Sequence, residues 1–154
     1  MKNLKDIIVE RLHINKDTGN NVHHYNYHPT TIYELEELVN KLIKERGNNA
    51  DLNDIDTSEI TDMNYMFGLS NFNGDISKWD VSKVEDMNFM FAHSKFDGDL
   101  SNWDVSKVED MHCMFRGSNF NGDISNWDVS NVKYMRNMFD ESPLEKNQPK
   151  WYKE

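Results

Sequence analysis

The sequence contains few of the residues that several classes of protein depend on. It has one cysteine, Cys113, and only three prolines and seven glycines among 154 residues. A single cysteine excludes a disulfide framework and a cysteine-based zinc site within one chain. No apolar run approaches the roughly 18 residues of a membrane span, and the first residues lack the apolar core of a signal peptide. The sequence therefore predicts a cytoplasmic protein with no membrane partner.

Positive charge is also scarce. The chain has 17 basic and 27 acidic residues, which gives a net charge of −10. Direct contact with a phosphate backbone requires Lys and Arg, so we expect no direct binding to nucleic acid. An acidic surface instead suits a basic protein partner, including the basic groove of an enzyme that handles nucleic acid. The length fits one structural domain.

What the sequence does contain is a tandem repeat. Its period is twenty-four positions, the interval that separates each tryptophan from the next at Trp79, Trp103, Trp127 and Trp151. A weaker first copy begins at Asp51 and carries Ile55 where later copies carry tryptophan. We divide the chain into an N-terminal helical cap (residues 1–50), four repeats (51–146) and a C-terminal cap (147–154).

Each repeat is predicted to form a strand, a short helix and a turn. Trp79 and Val81 alternate with polar residues, as in a strand with one buried face. Ser82 and Glu85 have the spacing of a helix-capping box, and an apolar stripe with helical spacing follows at Val84, Met87, Met90 and Phe91. Gly98 suits the turn. The expected fold is an α/β solenoid, a short leucine-rich-repeat-like array whose stacked coils share one core.

An amphipathic helix is predicted immediately before the repeats. Thr31 and Glu34 form a capping box at its start, and Gly47 ends it. Its apolar stripe comprises Ile32, Leu35, Leu38, Val39, Leu42 and Ile43. We expect this helix to cover the first coil, and we expect a further helix over residues 3–12.

Residues 72–87 read FNGDISKWDVSKVEDM. This segment resembles the repeats of the BspA-like leucine-rich-repeat proteins of bacteria. The resemblance covers residues 51–154. It implies a role in binding other proteins, because family members are mostly surface proteins associated with adhesion and no catalytic residues are known for the repeat. Short versions occur in phages and mobile elements. The missing signal peptide favours an intracellular binding role.

Aspartates recur in register and need an explanation. One column is Asp75, Asp99 and Asp123, and another is Asp80, Asp104 and Asp128. We expect these carboxylates to cap turns by accepting backbone hydrogen bonds. The alternative is a calcium ladder, because carboxylate oxygens in register suit Ca²⁺.

Two other groups of residues are candidates for chemistry. His23, His24 and His28 could ligate zinc, although Pro29 disfavours the helix that would bring them together. The alternative is a solvated or capping cluster. Cys113 would need a base such as His112 to act as a nucleophile, but adjacent residues on a helix point about 100° apart and would not meet. We therefore expect no enzyme activity, no cofactor and no metal.

We expect the functional residues at positions where the residue type changes from one repeat to the next. The variable positions are predicted to lie along one side, and the candidate partner-binding residues are Tyr65, Phe89, His93, His112, Arg116 and Arg136. Aromatic residues and arginine dominate interaction hot spots, although the same positions could simply be tolerant surface sites. We expect a monomeric, non-enzymatic protein-binding module. The alternative is an acidic phage-type inhibitor of a host nucleic-acid or defence enzyme, anti-CRISPR-like, which would require a continuous acidic face.

Overall fold

The computed structural model describes residues 24–153. Its helices are one α-helix, α1 (Ile32–Arg46), and one short 3₁₀ helix, η1 (Pro143–Lys146). The helix predicted over residues 3–12 lies outside the described residues. Across residues 24–153, neither helix has the length and apolar character that crossing a membrane requires.

The predicted amphipathic helix is confirmed. At its start the Thr31 hydroxyl oxygen accepts a hydrogen bond from the Glu34 N–H at 3.2 Å, and the Glu34 carboxylate accepts one from the Thr30 N–H at 2.7 Å. At its end Gly47 takes a φ of 91° and donates its N–H to Ile43. Four members of the predicted stripe are buried, namely Leu35, Leu38, Val39 and Leu42. The buried face of α1 is therefore part of the same hydrophobic core as the first repeat.

The repeats contain neither the strand nor the helix that the sequence predicted. Within residues 24–153, neighbouring repeats meet through isolated parallel bridges, such as Asp62 with Asp86, and no extended strand forms. The Met90 N–H bonds to the Met87 carbonyl three residues before it, at 3.2 Å, which is a β-turn and not an α-helix. The predicted α/β solenoid of strand, helix and turn coils is therefore wrong.

Each repeat is a succession of β-turns. In the second repeat (residues 75–98) the N–H groups of Trp79 and Val84 bond to the carbonyls of Ile76 and Val81 at 3.1 and 2.9 Å. A turn advances the chain by three residues and returns an apolar side chain to the core. Apolar residues three apart, such as Val84 and Met87, therefore suit successive turns as well as a helix.

The repeats stack because alternate N–H groups point out of one repeat and into the next. In the second repeat four N–H groups donate to carbonyls of the third repeat (residues 99–122) at 2.7–2.9 Å. The donors are Met87, Phe89, Phe91 and His93, and the acceptors are Asp110, His112, Met114 and Arg116. These N–H groups are therefore not free to form the backbone bonds of a helix.

The core contains columns of stacked aromatic rings that run along the repeats, together with methionine and aliphatic side chains. Phe67, Phe91, Phe115 and Phe139 occupy equivalent positions, with ring centroids 5.6, 5.6 and 6.0 Å apart and ring planes within 4° of parallel. Each tryptophan donates its indole N–H to a carbonyl of the preceding repeat; Trp103 reaches Ile76 at 3.2 Å. The repeats therefore fix one another both by ring packing and by buried hydrogen bonds.

Candidate functional site

Two columns of residues with left-handed backbone run along one side of the stack. Their φ values lie between 52° and 62°. The first column is Tyr65, Phe89, Cys113 and Asn137, and the second is Leu69, His93, Gly117 and Glu141. Both columns consist of positions that differ from repeat to repeat. We call these eight residues the left-handed face.

The left-handed backbone follows from the turns. In the first repeat (residues 51–74) Tyr65 is the third residue of the turn closed by Met66 N–H and Met63 carbonyl at 3.3 Å. Leu69 is the third residue of the turn closed by Ser70 N–H and Phe67 carbonyl at 3.1 Å. Positive φ at this position favours glycine and, less strongly, asparagine, and other residues cost roughly 1–2 kcal/mol.

Aromatic rings pack against one another on the first column. The rings of Tyr65 and Phe89 stack with centroids 4.8 Å apart and planes 12° from parallel. The ring of His112 meets the Phe89 ring edge-on at 5.3 Å. Tyr65 is 49% exposed and Leu69, in the second column, is 75% exposed. The first repeat therefore presents an apolar surface to solvent.

Gly117 provides space for the ring of His93. A Cβ atom at residue 117 would lie 2.2 Å from Nδ1 of His93, so a side chain there would displace the ring. The backbones of the two repeats are joined beside it, since His93 donates its N–H to the Arg116 carbonyl at 2.7 Å. The glycine in the third repeat therefore fixes where the histidine of the second repeat lies.

Cys113 is buried, with 2% of its surface exposed. Its Sγ lies 3.4 Å from Nε2 of His112. The prediction that these two side chains diverge is wrong because no helix forms there. Burial raises the pKa of the Cys113 thiol, and Arg116 only partly opposes this effect. Burial therefore disfavours the thiolate that a nucleophilic cysteine requires.

The structure brings together most of the predicted partner-binding residues. Tyr65, Phe89 and His112 pack in one group, and His93 lies next to Arg116, whose guanidinium contacts Glu141 at 3.3 Å. Arg136 is exposed in the column of His112, and no ion pair is seen for it within residues 24–153. Leu69 and Tyr134 were missed, although both are exposed. Leu69 lies at a position that differs from repeat to repeat, and the combination of a left-handed backbone with 75% exposure marks it out.

The aspartate columns cap turns, as expected. Asp75 Oδ1 accepts hydrogen bonds from the Ser77 N–H at 2.9 Å and the Ser77 hydroxyl at 2.7 Å. Equivalent bonds to the N–H two residues on are formed by Asp80, Asp99, Asp104, Asp123 and Asp128. No group of three or more His, Cys, Asp or Glu side chains in the described part of the chain is placed to hold a metal ion.

A third, half-buried aspartate column differs in its electrostatics. Burial raises the pKa of Asp86, and the neighbouring carboxylates Asp110 and Asp62 add to the effect. A folded pKa above the unfolded one means that the charged form destabilises the fold at neutral pH. We therefore expect Asp86→Asn, which can still accept the Asn88 N–H bond, to raise the melting temperature at pH 7. The difference should vanish near pH 3; a lower melting temperature at pH 7 would contradict this.

The predicted histidine cluster is only partly described, since His23 lies outside the described residues. His28 Nδ1 is 3.1 Å from Asp56 Oδ2, and its ring meets the Tyr25 ring edge-on. The backbone beside it joins the first repeat, because the Asp56 N–H donates to the Tyr27 carbonyl at 2.8 Å. His28 therefore contributes to attaching the segment before α1 to the stack.

Comparison with known proteins gives one family. The family model described as "Mycoplasma protein of unknown function, DUF285" matches residues 34–151, a range that contains most of α1 and all four repeats. The expected membership of the BspA-like leucine-rich-repeat family is therefore wrong, because the family model that matches is a different one. No curated protein and no solved structure gives a significant match.

Proposed function

Since the chain belongs to the DUF285 family, whose description assigns no activity, we propose a function from the surface itself: a non-enzymatic module that binds another protein through the part of the left-handed face that the first two repeats form. Tyr65, Leu69 and Phe89 form the centre of the contact. His93 and Arg116 lie at its edge. The acidic inhibitor considered above has no specific observation in its favour, because the aspartate columns are accounted for by turn capping.

The observation that carries the proposal is the backbone at Leu69. This residue has a φ of 59° and is 75% exposed. Stability alone favours glycine at such a position, because leucine is strained there and buries little apolar surface in return. Strained residues are found at functional sites, where their position serves a contact outside the fold.

The neighbouring side chains have the composition of an interaction hot spot. The Tyr65 ring is held by its stacking on Phe89, so little side-chain entropy remains to be lost on binding. Tyrosine and arginine are enriched at the centres of protein interfaces. The surface of Tyr65 and Leu69 is therefore both apolar and already ordered.

Replacing Leu69 by glycine separates binding from stability. We expect Leu69→Gly to stabilise the fold by roughly 0.5–1 kcal/mol, because glycine relieves the left-handed strain, and to weaken partner binding about tenfold or more. Asn137→Gly is the matched control, because residue 137 has a φ of 58° at the far end of the face. The measurements are chemical denaturation of each variant and affinity capture from cells of the native source.

The two outcomes together decide the proposal. Leu69→Gly should lose the captured partner while Asn137→Gly retains it, although both are at least as stable as the parent protein. If Leu69→Gly captures the same partner with undiminished yield, the left-handed face is not the binding surface.

A further inference from the structure

The acidic residues of the first three repeats are confined to one half of each repeat. That half, residues 51–62, 75–86 and 99–110, carries four or five Asp and Glu residues in every copy. The segments that carry the left-handed face contain none, although the chain as a whole has a net charge of −10. These acid-free segments are residues 63–74, 87–96 and 111–122. The left-handed face is therefore free of carboxylates until the fourth repeat (residues 123–146), where Glu141 lies.

The charged side chains of the acid-free segments are basic. They are Lys95 and Arg116, and the imidazoles of His93 and His112 lie in the same segments. His93 is exposed, and its N–H bonds to the Arg116 carbonyl at 2.7 Å. Asp110, which precedes the third segment, is half-buried and caps the His112 N–H at 2.8 Å. Charges more than about 8 Å away are largely screened at physiological salt, so the local basic groups decide which sign of charge this surface attracts.

Arg116 is already paired with a carboxylate of its own chain. Its Nη2 lies 3.3 Å from Oε1 of Glu141, and 39% and 63% of the two side chains are exposed. Bonds between arginine and a carboxylate are usually about 2.7–2.9 Å long and often bidentate. The single longer contact therefore leaves the guanidinium open to a better-placed carboxylate, and Glu141 holds the position that a carboxylate from a partner would take.

The apolar part of the surface lies two repeats before Arg116. The Tyr65 ring stacks on Phe89 and lies against Gly68, where a Cβ atom would be 2.7 Å from its Cδ1. Leu69 adds an exposed aliphatic side chain. Successive repeats are 5.6 Å apart at the stacked core rings. The apolar part and Arg116 are therefore about 11 Å apart along the stack, which about three residues of extended chain span at roughly 3.3 Å each.

We propose that the partner presents an acidic segment to this face. An apolar side chain of the segment packs on Tyr65 and Leu69, and a carboxylate about three residues further along displaces Glu141 from Arg116. This inference rests on the proposed function, since both use the surface of the first repeat, and it adds the chemistry of the partner. A basic segment is disfavoured at the same place, because it would bring like charge to Arg116.

A random peptide library displayed on phage tests the chemistry of the segment. The library is first depleted on the Leu69→Gly protein, which removes peptides that bind elsewhere on the chain, and is then selected on the full parent chain. We expect the enriched peptides to carry Asp or Glu about three residues from an aromatic or aliphatic residue. Enrichment of neutral or basic peptides would overturn the inference but leave the proposed function standing, because such peptides still depend on Leu69. Absence of any enriched peptide would also overturn the inference.

Three variants locate the carboxylate of an enriched peptide, which is labelled and titrated by fluorescence anisotropy. We expect Glu141→Gln to strengthen binding about twofold to fivefold, because the competing carboxylate is gone, and Arg116→Gln to weaken it about fivefold. Glu109→Gln is the matched control: it breaks the Lys133–Glu109 pair, at 2.7 Å, and changes the net charge equally. It should leave binding unchanged. Equal affinities of Glu141→Gln and Glu109→Gln, or full affinity of an Arg116→Gln protein that circular dichroism shows to be folded, would each overturn the inference.

Discussion

Replacing Phe91 by alanine is expected to lower the free energy of unfolding by about 3–5 kcal/mol. The Phe91 ring is fully buried and stacks between Phe67 and Phe115, with both centroids at 5.6 Å. It also packs on Phe96 at 4.5 Å. Alanine would open a cavity in the middle of the aromatic column, where repeats on both sides lose contacts. The measurement is equilibrium denaturation with urea, followed by tryptophan fluorescence.

The matched control for this substitution is Phe89→Ala, two residues away on the outer surface. Phe89 is half-buried and stacks on Tyr65, so its loss should cost only about 1 kcal/mol. The two phenylalanines differ in which side of the repeat they occupy and not in residue type. Equal losses for the two variants would show that the column does not dominate the stability of the stack.

Acid is expected to unfold the protein over the range in which its aspartates are protonated. The hydroxyl and N–H of Ser101 hold the pKa of Asp99 below its ordinary value, and Ser106 does the same for Asp104. The pKa values of Asp54, Asp56, Asp75, Asp123 and Asp128 are also lowered. A folded pKa below the unfolded value of about 3.9 stabilises the fold above that pH, and this contribution is lost as the pH falls through the folded values.

Melting temperature measured from pH 7 to pH 2 tests this expectation. It should change little above about pH 5 and then fall steeply toward pH 2, because several turn-capping carboxylates lose their charge together. The double variant Asp99→Asn, Asp104→Asn is the control, because asparagine can cap the same turns without titrating. Its acid loss should be shallower, and its melting temperature at pH 7 slightly lower. A parent protein as stable at pH 2.5 as at pH 7 would contradict the expectation.

The helix whose sequence signals all lie within one short segment was predicted correctly. The capping residues Thr31 and Glu34, the apolar stripe and Gly47 are all within one segment, and the helix they predict is α1, Ile32–Arg46. A helix satisfies its backbone hydrogen bonds internally, so its own sequence is sufficient to predict it. The repeat itself was also visible, and its recurring apolar positions in the second and third repeats are buried.

The conformation of each repeat was predicted wrongly because spacing is ambiguous. Val84, Met87 and Met90 are three apart, which suits a helix, but three-residue spacing also follows from consecutive β-turns. The deciding factor is where the N–H groups donate. Those of Met87 and Phe89 bond to the next repeat, so the contact between repeats and not local propensity sets the backbone.

Only part of the candidate surface was predicted, because contacts between repeats decide which residues lie together on it. Tyr65, Phe89 and His112 were chosen because they vary between repeats, and stacking brings them together. Leu69 was overlooked because its positive φ is imposed by the turn and by its bond to Ala92 of the next repeat, at 2.8 Å. The burial of Cys113 could not be read from the sequence, because its depth depends on neighbouring repeats.

Sequence patterns were enough to predict the period of the repeat, helix α1, the buried aromatic and methionine positions, and the aspartates that cap turns. These features depend on residues close together in the chain or on identical residues one period apart. Contacts between repeats, which the sequence does not show, build the repeats of turns and give the variable residues a left-handed backbone. The physical reason is that every backbone N–H needs an acceptor, and here alternate acceptors lie in the next repeat.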